Sequence, residues 1–498
     1  MKTTLKRTLA ALLAVLVLLP LAGCGQEAQN TPGNAQTNAG EKTPTSGDKS
    51  GGGTSTEAKA ETNDSTNTSD STESVETEAP YPMPDYSDFV MPEETGELTV
   101  YSSGMLGLLL TPAVEIFREK YPSVNVNLIT LDPDEFAARV QTEIPAGSGP
   151  DLLLCHANYD IPDPYKIMTT GLFADLNPYF LNDPDFNFDD YLTGAMECGV
   201  FQGKRMLVPV EILLPLYKSS RENLADAGID PDKIETLEDF CAACLQYHEK
   251  KPDNALFSSG GDNAYMRDLL YASGMQFIDY ANYKPAVDEE KLRAILDVCR
   301  AFYAEDGHPV GGEYIQIDGV WERMFLGSNI SNSSPLILLN DMILLEGEGE
   351  TPYFLPVKDI YGGSSAEVVY FAAIPQASEN KLNAYRLLQI LLSKDIQSGY
   401  EKTGMKAALI RIGSPVRKAS IMDHLNNAKE MFFGDYPGID DKIQLVADFC
   451  SNVTSGTILP SIIYRYLNLE MMPYVRGEKP WDDCYKRFLN TLELYASE

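Results

Sequence analysis

The fold of this chain is decided between residues 97 and 154, where three strand patterns alternate with two helix patterns. Glu97-Leu98-Thr99-Val100-Tyr101 and Val124-Asn125-Val126-Asn127-Leu128-Ile129 alternate polar with apolar residues, and Asp151-Leu152-Leu153-Leu154 ends in a short apolar run. A period of two is typical of a half-buried strand, and a short apolar run is typical of a buried one. Strands joined by helices form a parallel sheet with crossover connections. The sequence therefore predicts an α/β fold with ligand sites beyond the carboxyl ends of the strands.

Both intervening helices carry start patterns. Thr111-Pro112 predicts a capping residue followed by a proline at the first helical position, and Asp132-Pro133 repeats this pattern. The predicted loop Ser102-Ser103-Gly104 follows the first strand and leads into the first of these helices. Later in the chain, the apolar runs 336–339 and 368–374 are predicted to be buried strands that return to the first compact unit and cross again.

The N-terminus has the three regions of a secretory signal peptide. A basic head with Lys2, Lys6 and Arg7 precedes an apolar run, 9–19, that is too short for a comfortable membrane span. Leu21-Ala22-Gly23-Cys24 follows and resembles the lipobox of bacterial lipoproteins. The resemblance implies cleavage before Cys24 and lipidation of its thiol, and two acyl chains anchor a protein stably. An ordinary signal peptide, or an uncleaved span with a chance cysteine, is the alternative.

Residues 24–94 have the composition of a linker. Thr, Ser, Gly, Asn, Glu and Ala dominate, and no apolar periodicity occurs before Tyr81. Such a segment buries too little apolar surface to offset the entropy of ordering. We predict a disordered acidic tether between the lipidated Cys24 and the globular part, and hence a protein at the extracellular face of the cell membrane.

Composition excludes one class of partner. The formal net charge is −34, whereas nucleic acid binding requires a basic surface. Removal of 23 residues leaves a mature chain of 475, which is long enough for two or more compact units. Besides the lipidated Cys24, seven cysteines remain, which argues against a disulfide framework, although one or two bridges stay open.

No motif for catalysis or for a metal stands out. The chain has no His-Glu-x-x-His, no Gly-x-x-x-x-Gly-Lys and no Gly-x-Ser-x-Gly pattern. Cys241-Ala242-Ala243-Cys244 has the spacing of a redox or zinc pair, but it lies in a helix pattern opened by Thr236 and Asp239. A buried pair of thiols is therefore favoured over redox chemistry. We predict no catalytic residue, no metal site and no cofactor.

The sequence resembles the extracellular solute-binding proteins of bacterial ABC importers, in particular the family 1 members that bind sugars and oligosaccharides. Short matches in the family's order span most of 96–498, and they lie at 98–100, 117–122, 150–153, 171–176, 203–209, 216–219, 224–229, 236–240, 383–393 and 413–416. Leu237 stands where the family usually has tryptophan, and Lys218-Ser219 stands where Tyr-Asn is common.

The resemblance implies two α/β lobes joined by crossing strands, with the ligand held between them. Residues 1–23 are then the signal peptide and 24–94 the linker. The first lobe takes 95–213 and about 325–375, and the second takes about 214–324 and 376–498.

The candidates for ligand binding are polar side chains that follow predicted strands or buried runs, a tyrosine in the second crossing strand, and aromatic side chains for the walls of the site. A solute site needs a few polar groups that orient the ligand and apolar or aromatic walls that exclude water. Hydroxyl, amide and carboxylate groups pair with sugar hydroxyls, and sugar faces pack on aromatic rings. The candidates are Ser102, Ser103, His156, Asn158, Tyr159, Glu211, Tyr265, Trp321, Asn340, Asp341 and Tyr370.

The predicted function is a monomeric, lipid-anchored receptor that closes around a small solute and delivers it to an ABC permease. A sugar or oligosaccharide is the leading ligand, while a polyol, a modified sugar or a peptide stays open. One alternative is a surface-anchored polysaccharide hydrolase in which Glu211 and Asp341 act as acid and base. Another is a module that presents its ligand to a sensor kinase.

Overall fold

The fold is described from a computed structural model that covers residues 81–250, 264–303, 314–317, 320–323, 329–347, 349–399 and 413–498. Cys24, the signal peptide and most of the predicted tether lie outside the described residues. Residues 80–498 form one compact unit. None of the helices in the described ranges is long and apolar enough to cross a membrane.

The described strands are β1 Glu97–Ser103, β2 Asn125–Leu131, β3 Leu152–His156, β4 Val200–Phe201, β5 Lys204–Arg205, β6 Val208–Ser220, β7 Ile278–Asp279, β8 Lys284–Pro285, β9 Tyr314–Ile317, β10 Val320–Arg323, β11 Asn329–Ser333, β12 Pro352–Pro356, β13 Ser365–Ala373, β14 Ser414–Pro415 and β15 Ser455–Thr457.

The described α-helices are α1 Gly107–Lys120, α2 Pro133–Ala146, α3 Pro164–Thr169, α4 Asn177–Leu181, α5 Thr193–Glu197, α6 Arg221–Asp226, α7 Leu237–Lys250, α8 Ala264–Ser273, α9 Glu289–Ala301, α10 Pro335–Gly347, α11 Lys381–Leu391, α12 Lys394–Ser398, α13 Lys418–Ala428, α14 Ile439–Ser451, α15 Ser461–Val475 and α16 Trp481–Ser497.

One mixed sheet forms the centre of the fold, in the order β11-β6-β13-β3-β1-β2. Strand β1 pairs in parallel with both β2 and β3, as the alternation of strands and helices predicts. Strand β13 runs antiparallel to both β3 and β6, so it joins the early and later parts of the chain. The predicted α/β fold is confirmed, and the run 368–374 lies almost wholly in a buried strand as expected.

A second packing region, which we call the helical core, lies around α7, α8, α9, α15 and α16. Its buried residues run from Tyr217 to Phe302 and continue from Leu459 to Ala496, with Val357 between them. Leucine, isoleucine and aromatic side chains dominate it, as expected of amphipathic helices that bury one face. The sheet and the helical core are the two regions that position the candidate site.

Three local predictions are wrong. Helix α1 begins at Gly107, so Pro112 lies inside it and Thr111 does not cap it. Ser102 and Ser103 belong to strand β1 and not to a loop. The run 336–339 lies in helix α10, because Ser334 accepts a bond from the Ile337 amide and Pro335 occupies the first helical position.

Two segments near the predicted boundaries make contacts outside their predicted regions. Helix α11 is predicted to belong to the second lobe; its Asn383 donates to the carbonyl of Thr95 at 2.9 Å, and its Arg386 pairs with Glu94 at 2.7 Å. It therefore packs beside β1. The last part of the predicted tether, 81–94, contacts the globular body: the Tyr86 hydroxyl donates to Asp175, and the Phe89 ring lies 5.0 Å from Tyr179.

Candidate ligand-binding site

Three candidate side chains form a row across the sheet. Tyr370 on β13 is paired with His156 on β3 and with Glu211 on β6. Tyr370 lies opposite both residues, and β13 shifts its register against β6 on both sides of the Tyr370–Glu211 pair. All three are buried, and the rings of His156 and Tyr370 meet edge to face with their centres 5.1 Å apart. The pleat and register of β13 thus bring together residues that are far apart in sequence.

Asp160 joins this row from the segment after β3. It is fully buried, and its carboxylate accepts a 2.5 Å hydrogen bond from the His156 amide. Burial raises the pKa of Asp160 to about 6, although hydrogen bonds from the His156 amide and from Ser103 oppose the shift. Ser103, at the end of β1, is the serine candidate whose interaction with Asp160 lowers the pKa of that carboxyl.

Two polar atoms in this cluster stand out. Among the residues that the structure describes, the second carboxylate oxygen of Asp160 and the hydroxyl of Tyr370 have no hydrogen-bond partner. Tyr370 is only 1% exposed. Buried polar groups are nearly always hydrogen-bonded, so each such atom requires an explanation, and a bound polar molecule is one.

His156 is uncharged in this environment. Burial, and to a lesser degree the charge of Arg267, lowers the pKa of His156 to about 3. The geometry agrees, because the Asn158 amide donates to its Nδ1 at 3.2 Å, which requires an unprotonated Nδ1. A neutral imidazole can accept at one nitrogen and donate at the other.

Asn158 and Tyr159 connect the sheet to helix α8. The Asn158 side chain donates to Glu367 at 2.7 Å and accepts from the Tyr271 hydroxyl. The Tyr159 ring packs 4.6 Å from His156, yet 42% of the residue is exposed. One turn before Tyr271 on α8, Arg267 donates to the Tyr159 hydroxyl at 3.5 Å.

Charged side chains surround this contact. Burial works against the charge of Arg267, but Asp268 and Glu367 favour it, and its pKa is raised. Burial raises the pKa of Asp268 to about 7, although Arg267 opposes that shift. The contact between α8 and the segment after β3 is therefore polar and charged.

Asn340 and Asp341 lie elsewhere. Both are on α10, where Asp341 forms a buried ion pair with Lys218 at 2.7 Å. Lys218 and Glu211 are seven residues apart on β6, or about 23 Å along an extended strand. Glu211 and Asp341 are thus not brought together as the acid–base pair that the hydrolase alternative requires.

The remaining candidates contribute less. Ser102 is buried in the sheet and donates to the carbonyl of Ser103 at 3.1 Å. Tyr265 and Trp321 belong to α8 and β10, but their side chains lie outside the described part of the chain. The residues that the structure brings together are Ser103, His156, Asn158, Tyr159, Glu211 and Tyr370.

Sequence reasoning missed four residues at this site: Asp160, Arg267, Tyr271 and Glu367. Asp160 directly follows Tyr159 in the segment after β3, and Glu367 lies three residues before Tyr370 on β13. Arg267 and Tyr271 share one face of α8, and only the tertiary contact with Asn158 and Tyr159 distinguishes them from other helical surface residues.

The Cys241–Cys244 motif, whose spacing also fits a redox or zinc pair, has a structural role. Cys241 and Cys244 are buried free thiols on α7, and burial raises the pKa of Cys241 to about 12. Thr236 and Asp239 bond to each other's backbone amides at the start of that helix. Within the described ranges, no group of three or more acidic, histidine or cysteine side chains is arranged to hold a metal ion.

Comparison with known proteins gives a match to one family model over part of the chain and a shared fold. Residues 107–298 match the family model of the bacterial extracellular solute-binding protein. A search of curated proteins finds no match to the chain. Many solved structures share the fold, at low sequence identity.

Three of these structures illustrate the similarity. The sugar-binding protein MalE from Xanthomonas citri has a TM-score of 0.57 at 14% identity, over 80% of this chain and 97% of its own. The cyclic alpha-maltosyl-1,6-maltose binding protein from Arthrobacter globiformis has 0.53 at 15%, over 81% and 99%. An ABC substrate-binding protein from Listeria monocytogenes, in complex with cycloalternan, has 0.51 at 13%, over 81% and 100%. The resemblance to the solute-binding proteins and the two-lobed binding-protein fold are confirmed.

Proposed function

We propose, with the solute-binding family and its two-lobed fold as the premise, that this protein captures a small carbohydrate between its lobes. In this proposal the sheet and the helical core are the cores of the two lobes, and β6 and β13 are the crossing strands. A ligand that contacts both lobes favours the closed state, and hinge closure follows from that difference in affinity.

The main observation that supports this function is the cluster of buried polar side chains at the crossing strands. The unpaired hydroxyl of Tyr370 and the unpaired oxygen of Asp160 are buried beside His156 and Glu211. A sugar hydroxyl can both donate and accept, so it suits a phenol and a carboxylate equally well. The exposed part of the Tyr159 ring adds an aromatic surface at the edge of the cluster.

The similar structures support the ligand class. Their names record sugar binding, a cyclic maltosyl-maltose and cycloalternan. Delivery of the ligand to an ABC permease, lipid anchoring through Cys24 and a monomeric receptor complete the proposal. The first rests on the family match and the second on the pattern before Cys24.

A thermal-shift screen tests this function. We expect a sugar or oligosaccharide to raise the melting temperature, whereas free amino acids and peptides leave it unchanged. A ligand at about 100 times its Kd stabilises the native state by about 2.7 kcal/mol. Tyr370→Phe should reduce the sugar-dependent shift, and Tyr361→Phe, at an exposed tyrosine, should not. A panel in which peptides stabilise the protein and carbohydrates do not would contradict the proposal.

A further inference from the structure

Closure by a ligand requires contacts from both lobes, and the residues gathered at the cluster come mainly from the sheet. Ser103, His156, Glu211 and Tyr370 all lie on strands of that sheet. The contribution of the helical core is the missing half of the site. Helix α8 is the element of the helical core that reaches the cluster.

Helix α8 belongs to the helical core and also contacts the segment after β3. Met266, Leu269, Leu270 and Tyr271 are buried in the helical core. Arg267 and Tyr271 are four residues apart, so they lie one above the other on a helix surface. Tyr271 contacts Asn158, and Arg267 contacts Tyr159, the residue after Asn158. This face of α8 thus lies along the segment after β3.

Arg267 is held in place but has donors to spare. A guanidinium carries five N–H donors in a planar fork. Among the described residues, Arg267 makes one hydrogen bond, to the Tyr159 hydroxyl, and its 3.5 Å length is beyond the usual range. The carboxyl groups of Asp268 and Glu367 favour the charged form of its guanidinium. The side chain is only partly buried, so a ligand can reach it.

We propose that Arg267 is the residue that binds the ligand from the helical core. It donates two hydrogen bonds to neighbouring ring hydroxyls of a sugar held against Tyr159. The contact draws α8 toward the segment after β3 and so favours the closed state. The carboxyl side chains of Asp160, Glu211 and Glu367 are buried around the same site, so a neutral ligand suits it better than a uronate. This inference rests on the proposed carbohydrate function.

The test is isothermal titration calorimetry on the full chain in detergent, with maltotetraose, cellotetraose, xylotetraose and tetragalacturonate as probes. We expect a neutral tetrasaccharide to bind and Arg267→Met to weaken its binding about 10- to 100-fold, the range of lost charge-assisted bonds. Arg267→Lys keeps the charge without the fork, so we expect a loss of similar size. Arg487→Met, at an arginine on α16 that pairs with Glu470, is the matched control and should bind like the wild type.

The outcomes separate the two proposals. Equal affinity for the wild type, Arg267→Met and Arg267→Lys would overturn the role of Arg267 and leave carbohydrate capture standing. Tightest binding of tetragalacturonate would overturn the neutral-ligand assignment. Failure of all four probes to bind would overturn the inference together with the proposed function. If Arg267→Met does not fold, Arg267→Lys carries the comparison alone.

Discussion

Lys218 and Asp341 form an ion pair that is almost completely removed from water. The two side chains are 3% and 7% exposed, and their charged atoms lie 2.7 Å apart. Each charge is tolerated there because the other compensates it. The pair joins β6 to α10, so it connects a central strand of the sheet with a helix that the sequence did not predict.

We expect Lys218→Met to lower the free energy of unfolding by about 3–5 kcal/mol, because it leaves the Asp341 carboxylate buried without its cation. Urea denaturation measures the change. The double variant Lys218→Met/Asp341→Leu should recover much of the loss. Lys233→Met, at an exposed pair with Asp230, is the control and should cost less than about 1 kcal/mol. A single variant as stable as the wild type would contradict this account.

The buried imidazole of His156 makes stability depend on pH. Its pKa is about 3 in the folded state and 6.5 in an ordinary setting, so the unfolded chain binds the proton more tightly. The contribution of His156 to stability is therefore complete above pH 6.5 and is lost as the pH falls toward 3.

Urea denaturation at pH 7, 5 and 4 tests this dependence. His156→Gln stays neutral and can still accept from the Asn158 amide, so its free energy of unfolding should fall less steeply below pH 6.5. The difference in slope should reach up to about 1.4 kcal/mol per pH unit. Identical pH profiles for the wild type and His156→Gln would show that His156 does not titrate as described.

For single residues, the sequence predicted where a side chain lies better than it predicted which side chains it contacts. His156 and Glu211 are predicted because they follow strands and Tyr370 because it lies in a crossing strand, and the sheet brings them into one row. Asp341 was named for the same reason, but its place in a helix sends it to Lys218 instead. Arg267 could not be found, since nothing in its local sequence records which loop its helix will contact.

Among the elements, the segment 81–94 differs most from expectation, because it packs on the body without forming a helix or strand. Beyond the contacts of Tyr86 and Phe89, Glu94 pairs with Arg386 and accepts from the Ser123 hydroxyl at 2.9 Å. Gly203 has a φ of +76°, and a Cβ there would lie 2.5 Å from the Pro82 carbonyl oxygen. The chain therefore joins the body well before Gly96.

We expect Phe89→Ala to speed proteolytic cleavage within 81–95, because the ring contact with Tyr179 that holds the segment is lost. Val90→Ala is the matched control, since Val90 is 81% exposed. Mass spectrometry of a limited digest locates the cut. Sugar affinity should be the same in both variants, and equal cleavage rates would contradict a docked segment.

The error at residues 336–339 has a physical cause. Four consecutive apolar residues fit a buried strand and a buried helix equally well, and periodicity cannot separate them. The preceding Ser334-Pro335 is a helix start pattern of the same kind as Asp132-Pro133, whose cap the structure confirms at 2.9 Å from the Glu135 amide. Weighing that pattern above the apolar run would have given the helix.

For the whole molecule, the sequence established the α/β class and the family resemblance but not the division into lobes. The alternation of strands and helices up to β3 is local and can be read directly. The return of α11 to β1 depends on contacts across nearly 300 residues, such as that of Asn383 with Thr95. No pattern within α11 itself indicates which region it will join.

Anchoring is a property of the whole chain that the sequence alone supports. We expect Cys24→Ala to move the protein from the membrane fraction to the soluble fraction, because it removes the thiol that we propose to carry the lipid. Fractionation followed by immunoblotting measures the distribution, and calorimetry measures sugar affinity, which should not change. A variant that stays with the membrane would contradict lipid anchoring at this residue.

The central claim is that a sugar closes two lobes around a site at the crossing strands. Small-angle X-ray scattering of residues 81–498, with and without the sugar that gives the largest thermal shift, tests it most directly. The account predicts that the radius of gyration falls when the sugar is added, and that Arg267→Met requires more sugar to reach the same change. Saturating sugar that binds and leaves the scattering unchanged would contradict capture by closure.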